Sequence, residues 1–260
     1  MLRNIKLCKI IITVFTLVLL ILLSVSCFVQ PHIKTELHEL VYRRRRQDPD
    51  EYTVYISENG TFEPYFVIDG NYDGGVLLLR KHVTEERMMF GGVDGYYPES
   101  LIDKYLNTEF IANLPVSVQE TILISEILVA TTDAYKKRET EEIARRIFLL
   151  SATELNRRRT STLAVEGEAL IYFKHGNPRY GTLRNGINGA SWLRSTYFSQ
   201  AARSMAWATF PNQTGLASYE ATSVELSLRP AFCLPPDTLI GEMFIDEKLV
   251  YIVLHKEVYQ

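Results

Sequence analysis

The chain has 260 residues, 47% hydrophobic and 23% charged, a balance that excludes a disordered chain and allows one large domain with a tail. Its formal net charge is -3, and the basic residues Arg3, Lys6 and Lys9 precede residue 31 with no acid among them, so the body is mildly acidic; this excludes a nucleic-acid binder, which needs a basic face to neutralise phosphate. Of three cysteines, Cys8 and Cys27 lie near the N-terminus, which leaves Cys233 alone in the body and excludes an internal disulfide framework.

Residues 10–29 contain no charge, glycine or proline. As a helix such a run is about 30 Å long, enough to cross a hydrocarbon core. An uncleaved membrane anchor is the preferred reading. The small residues Ser24 and Ser26 before Cys27 leave a cleaved signal peptide with lipidation at Cys27 as an alternative, and a released protein as a third. A short basic N-terminus before an apolar run is the export pattern, so the body is expected outside the cytoplasm, at the cell membrane. Residues 30–51, with the basic block Arg43 to Arg46 and the turn Asp48-Pro49-Asp50, read as a stalk or linker.

From Tyr52 to the C-terminus the sequence reads as one α+β domain. Tyr52–Ile56, Pro64–Ile68 and Val76–Arg80 are rich in β-branched and aromatic residues and predict strands. The intervening Asp69-Gly-Asn71-Tyr-Asp73-Gly74 has oxygen ligands at the spacing of an EF-hand loop, but the twelfth position is Arg80 rather than glutamate; a tight hairpin is preferred over a metal site. Leu101, Ile102, Tyr105, Leu106, Phe110 and Ile111 recur at helical spacing between Pro98 and Leu114, and Glu99 and Ser100 suit the first turn. Pro115 stops this helix, and Ser117 three before Glu120 predicts a capping box on a short second one.

Ile127–Thr131 predicts a strand, Lys136–Arg146 a charged surface loop, and Ile147–Ser151 a buried strand leading into a helix. Arg157 to Arg159 read as a solvated face. His175–Gly189, with four glycines and three asparagines, reads as irregular loop without phosphate-binding spacing. Trp192–Arg194, Ser204–Phe210 and Val224–Arg229 suit strands of one sheet, with a turn at Pro211–Gly215, and Met243–Leu254 reads as a hairpin around Asp246 to Lys248.

Nucleophile elbows, zinc-binding helices and Cys–His pairs are missing, so neither a catalytic residue, nor a metal, nor a cofactor is expected. Glu154, Glu220 and Glu225 can supply carboxylates, but their spacing singles out no pair. Arg194 and Arg229 stand out because each is embedded in an apolar run, and a buried guanidinium needs carboxylates or carbonyls. A polar network tying strands together is preferred over anion recognition. Trp192, Tyr197 and Trp207 suit either core packing or stacking on a partner, and Asn212 lies in the polar insert 195–222. Trp192, Arg194, Tyr197, Trp207, Asn212 and Arg229 are the candidate binding residues.

Five motifs stand in order: Val76-Leu-Leu-Leu, Tyr105-Leu-Asn107-x-x-Phe110, Ile147-Phe-Leu-Leu-Ser-x-x-Glu154, Trp192-Leu-Arg-Ser195 and Arg229-Pro-Ala-Phe232. Together they resemble a bacterial domain of unknown function, number 6273, over about Tyr65 to Leu234. Its late segments are similar in order to C-type-lectin-like domains of the sulfatase-modifying and phage-receptor-binding kinds. That likeness implies a small twisted antiparallel sheet with one or two helices and long binding loops. The family carries no established activity. The combined expectation is a membrane-tethered extracytoplasmic binding module for a glycan or envelope protein; the alternatives are a cell-envelope enzyme acting on glycan or protein, and a structural envelope protein.

Overall fold

In the computed structural model the described residues are 33–45, 48–92, 94–131, 139–158, 160–198, 204–211 and 217–254. Strands dominate them. Thr53–Glu58, Thr61–Tyr72 and Gly75–Arg80 form an antiparallel meander, as their β-branched and aromatic content predicts. Its two turns, Asn59-Gly60 and Asp73-Gly74, hold both residues at positive φ (48° and 80°, 47° and 79°), which bends the chain in the sense of the strand twist. The turn at Asp73-Gly74 is the hairpin preferred over a calcium loop.

Every residue of Gly75–Arg80 is buried, and so is every residue of Ala231–Leu234 beside it. Strands covered on both faces read as continuous apolar runs instead of alternating ones. Ile147–Phe148 completes that side of the sheet. On the other side Thr53–Glu58 pairs in parallel with Lys248–Val253, which forms a hairpin with Leu239–Ile245. Ile33–Glu36 pairs with the latter as the opposite edge. The result is an eight-stranded sheet. It overturns the expected C-type-lectin-like α+β fold with a small sheet: the first and last strands of the unit join the central meander and double its width.

The helix beginning at Leu101 is capped by Ser100, whose hydroxyl accepts from Asp103 N–H at 3.0 Å. It runs through a π-helical turn at Leu106–Phe110 and buries Ile102, Leu106, Phe110 and Ile111 of the predicted face, whereas Tyr105 is half-buried and Leu101, in the first turn, is exposed. Asn107 in that turn donates to the Ile147 carbonyl at 2.9 Å and accepts from the Ile147 N–H at 3.2 Å. Its carboxamide thus occupies the free edge of Ile147–Phe148, where a further strand would otherwise pair. The short helix Val116–Thr121 starts directly after Pro115 without a side-chain cap, so the expected capping box is absent: Ser117 already lies inside the helix.

Three further expectations are corrected. The charged segment 136–146 contributes a strand, Thr140–Arg145, paired with Ser125–Ala130; Arg145 turns inward and forms a two-pronged ion pair with Asp103 at 2.8–2.9 Å. Ile147–Phe148 leads into a single turn, not a helix. The smaller sheet joins Ser191–Thr196 and Met205–Thr209 to Ala217–Ala221, whereas Val224–Arg229 meets it through an isolated Ser191–Ser227 bridge and pairs its Glu225–Leu226 to Met88–Met89. A two-residue period marks a strand but not its partner.

Residues expected as linker also belong to the fold. Besides the strand Ile33–Glu36, Leu37 and Leu40 are buried, and Tyr42 packs edge-on against Tyr52 and Tyr172 at 5.1 and 4.9 Å. The compact unit begins at Ile33. A fragment starting at Asp48 is therefore expected to unfold at a clearly lower temperature than one starting at Ile33, since each buried leucine contributes about 1.5–3 kcal/mol. Thermal unfolding of the two fragments checks this; equal midpoints would make the segment a linker after all. The expected membrane segment at residues 10–29, Cys27 and Asn212 lie outside the described residues. No helix among the described residues is long and apolar enough to cross a membrane.

Candidate functional site

The site is built on Ser151-Ala-Thr-Glu154. Ser151 and Glu154 cap each other: Ser151 N–H donates to Glu154 Oε2 at 2.8 Å, and Glu154 N–H donates to Ser151 Oγ at 3.0 Å. The turn they open closes at Asn156, whose φ of +58° lets Asn156 N–H and Arg157 N–H bond back to the Thr153 and Ala152 carbonyls at 2.9 Å each. A two-ended cap on one turn leaves the Glu154 carboxylate in a fixed place.

Arg194 meets it from the strand Ser191–Thr196. Its two terminal nitrogens donate to the two Glu154 oxygens, both at 2.7 Å, and Nε and Nη1 also reach the carbonyls of Leu128 and Leu149 at 3.0 and 2.8 Å. Tyr72 Oη donates to Glu154 Oε1 at 2.7 Å. Glu154 thus receives four donors and Arg194 uses four of its five N–H groups, as a buried ion pair requires. Burial opposes the charge on Arg194, but the Glu154 carboxylate outweighs it and holds the guanidinium pKa above its ordinary value. Burial, then the same carboxylate, raises the Tyr72 phenol.

A second buried carboxylate, Glu166, lies behind this pair. It accepts from Ala130 N–H at 2.8 Å and from the Ser195 hydroxyl, which in turn accepts from Ala152 N–H at 2.9 Å. Burial pushes its pKa up to about 7, against the pull of Arg194 and its own hydrogen bonds. Trp192-Leu-Arg-Ser195 is therefore a motif with two acidic partners, Glu154 for the arginine and Glu166 for the serine.

On the solvent side of Glu154 and Tyr72 the surface opens into a cleft of about 460 Å³. Asp69 and Asp73 come from the meander's second turn, Glu126 and Glu142 from the paired strands Ser125–Ala130 and Thr140–Arg145, and Glu168 from the loop that follows Glu166. Lys174 is the one basic residue on its wall. Gly167 is needed at the base: it holds φ at +90°, and a Cβ there would stand 3.1 Å from Glu154 Oε1. Asp73 accepts from Glu126 N–H at 2.7 Å and so ties the hairpin to the neighbouring strand. Among the described residues no three metal-ligating side chains converge.

None of the described binding candidates lines this cleft. Trp192 is a core residue, edge-on to Phe90 at 5.4 Å with Nε1 donating to the Met88 carbonyl at 3.0 Å. Arg194 reaches the cleft only through Glu154. Trp207 is buried under the Arg157 guanidinium, 5.3 Å from the ring, so Arg157 is not purely solvated as expected. Tyr197 stacks at 3.7 Å on Tyr219, which is half exposed. Arg229 is buried elsewhere, its Nε donating to the Arg80 carbonyl at 2.8 Å. Sequence reasoning named Glu154 without a partner, weighed Asp69 and Asp73 only as calcium ligands, and missed Tyr72, Glu166, Glu126, Glu142 and Glu168. The usable signal was the Ser-x-x-Glu spacing at 151–154, a reciprocal cap of the kind sought at 117–120.

None of the curated proteins and none of the solved structures compared with the chain matches it. Residues 73–236 match the pattern of a family described as a domain of unknown function, DUF6273. The match takes in all five motifs, and with them Asn107 at the sheet edge and both partners of the Arg194–Glu154 pair. It leaves out most of the meander and the C-terminal hairpin. On the strength of that match the chain belongs to the DUF6273 family.

Proposed function

We propose that the protein is a membrane-tethered extracytoplasmic binding module that takes a cationic segment of an envelope protein, bearing lysine or arginine side chains, in its acidic cleft. The carrying observation is the cleft itself: about 460 Å³, with Asp69, Asp73, Glu126, Glu142 and Glu168 set against Lys174. That volume lies within the roughly 300–1,000 Å³ of ordinary ligand sites. A concave surface of one sign focuses its field and raises the local concentration of oppositely charged ligands. The carboxylates are spread along the cleft, which suits an extended cation better than a point charge. The rigid ion pair beneath keeps the floor fixed, which lowers the cost of binding. The charge-free run at residues 10–29 behind Arg3, Lys6 and Lys9 supports the tether.

Fluorescence anisotropy of the detergent-solubilised chain with a labelled lysine/arginine-rich peptide tests the reading. Binding is expected to weaken with salt, and Glu126→Gln/Glu142→Gln/Glu168→Gln to weaken it by about tenfold or more, as lost charge complementarity requires. Equal affinity for an acidic control peptide, or no change in the triple variant, would sink it.

A further inference from the structure

Ser125–Ala130 and Thr140–Arg145 form an antiparallel pair with two unlike faces. Ile127 and Val129 are buried on one, where Ile143 packs with the core; Glu126, Glu142 and Ala144 are exposed on the other, whose two glutamates line the acidic cleft. Successive strand residues also send their backbone N–H and C=O to opposite edges, and the contacts of Ser125–Ala130 show which go where. Glu126 N–H donates to Asp73, the Leu128 carbonyl accepts from Arg194 Nε, and Ala130 N–H donates to Glu166, so these three residues turn their backbone away from Thr140–Arg145. The residues facing them are Ala144, Glu142 and Thr140. In an antiparallel pair two facing residues either bond each other or both turn outward, so the N–H and C=O of Thr140, Glu142 and Ala144 point to the outer edge. Thr131 N–H donates to the Glu139 carbonyl at 3.0 Å, the inward pairing that this alternation requires.

Among the described residues no third strand pairs with that edge. Of its outward groups, the Ala144 carbonyl is covered by Arg145 Nη1 at 2.8 Å; at Ile147–Phe148, by contrast, the Asn107 carboxamide closes the edge. An unpaired strand edge is a template for an extended chain. We propose, on the basis of the acidic cleft as a cation site, that the bound segment is added as a strand along Thr140–Arg145 and carries a basic side chain at every second residue. Alternate side chains of such a strand fall on the face that bears Glu126 and Glu142. The one opposite Glu142 has its Cβ about 5 Å from that of the glutamate, the separation of a cross-strand ion pair. Ala144, which faces Glu126, puts only a methyl group between that carboxylate and the next basic side chain. Backbone hydrogen bonds thus supply affinity and the alternation of charge supplies selectivity. A second copy of the same strand fits less well, because it brings Glu141 and Glu142 to an edge that already carries them, and like charges across strands repel.

Fluorescence anisotropy of the detergent-solubilised full chain with four labelled peptides tests it. The parent alternates lysine with threonine; two derivatives are N-methylated, one at the lysines and one at the threonines; the fourth has the same composition with its lysines in one block. An added strand bonds through one edge, so one methylated peptide is expected to bind about tenfold or more weakly and the other like the parent. The block peptide should bind about threefold or more weakly, since half its lysines then face away from the glutamates. Thr140→Pro/Ala144→Pro removes two outward N–H groups and no bond to Ser125–Ala130, a placement that a sheet edge tolerates, and should weaken the parent by about tenfold with little change in unfolding midpoint. If that variant does not fold, the methylated pair on the unaltered chain decides. Any other pattern between the methylated peptides, an unweakened block peptide, or full binding by the folded proline variant would overturn strand addition, and the cleft reading would then stand or fall by Glu126→Gln/Glu142→Gln/Glu168→Gln alone. Absence of binding by every peptide would remove both, and a dimer of the unaltered chain that the proline variant abolishes would give the edge to a second copy.

Discussion

Glu154→Leu is expected to lower the unfolding free energy by about 3–5 kcal/mol, the cost of leaving a buried guanidinium without its carboxylate. The pair is buried on both sides, each Glu154 oxygen takes one arm of the fork at 2.7 Å, and no water-facing alternative is open to Arg194. The loss also releases the turn at residues 151–157, because Glu154 is one half of the reciprocal cap with Ser151. Arg194→Met should cost a similar amount, and the double variant clearly less than the sum of the two, since an apolar pair of similar volume can replace a buried ion pair at little net cost. Urea unfolding of the four proteins completes the cycle. Additive losses would mean that the two side chains stabilise the fold independently, and a loss below about 1 kcal/mol for either single variant would reduce the network to surface-pair strength.

The second large effect is a dependence on pH. The Glu166 carboxyl is pushed up to about 7 from an ordinary 4.5, with burial as the main cause. The folded protein therefore holds a proton that the unfolded chain has released throughout that window. Stability contributed by Glu166 is complete below about pH 4.5 and is lost as pH rises through about 7. The difference corresponds to about 3 kcal/mol. Glu63 acts in a different range: burial raises its pKa, but the hydrogen bond from His82 and the charges of Arg80 and Arg184 outweigh this and lower it, so its contribution fades only as pH falls below the ordinary glutamate value. Glu166→Gln keeps an acceptor for Ala130 N–H and a neutral donor toward Ser195. It should flatten the stability profile between pH 5 and 8 and be more stable than the wild type at pH 8. Chemical denaturation across that range decides the matter, and parallel profiles for the two proteins would assign the slope to other groups.

These two carboxylates show how the candidate site hid from the sequence. Glu154 could be picked out because Ser151-x-x-Glu154 is a local pattern, but its partner Arg194 lies forty residues away. Glu166 sits in Val165-Glu166-Gly167 with nothing in its neighbours to mark burial, and it meets Ser195 only after folding. The cleft carboxylates come from four separate segments, so no spacing along the chain relates them. Arg194 and Arg229 looked alike as arginines in apolar runs. Folding made them different, one with a carboxylate and the other, among the described residues, with carbonyls.

The family was legible because its motifs carry packing: Val76–Leu79 and Ala231–Phe232 are neighbouring buried strands, and Asn107 and Ile147 meet at the sheet edge. By itself the sequence determined what depends on neighbours within a few residues. That covers the three strands that make up the meander and the turn at Asp73-Gly74, most of the helix face capped by Ser100, and the hairpin turning at Asp246-Glu247 with φ of 48° and 64°. Only the tertiary structure decided which strands pair. It brought Ile33–Glu36 to the sheet edge, set Thr140–Arg145 against Ser125–Ala130, and chose Ala217–Ala221 over Val224–Arg229 for the smaller sheet. The physical reason is the same each time. Turn and helix energies are summed over adjacent residues, whereas strand partners and buried counter-charges are selected by contacts between segments far apart in the chain.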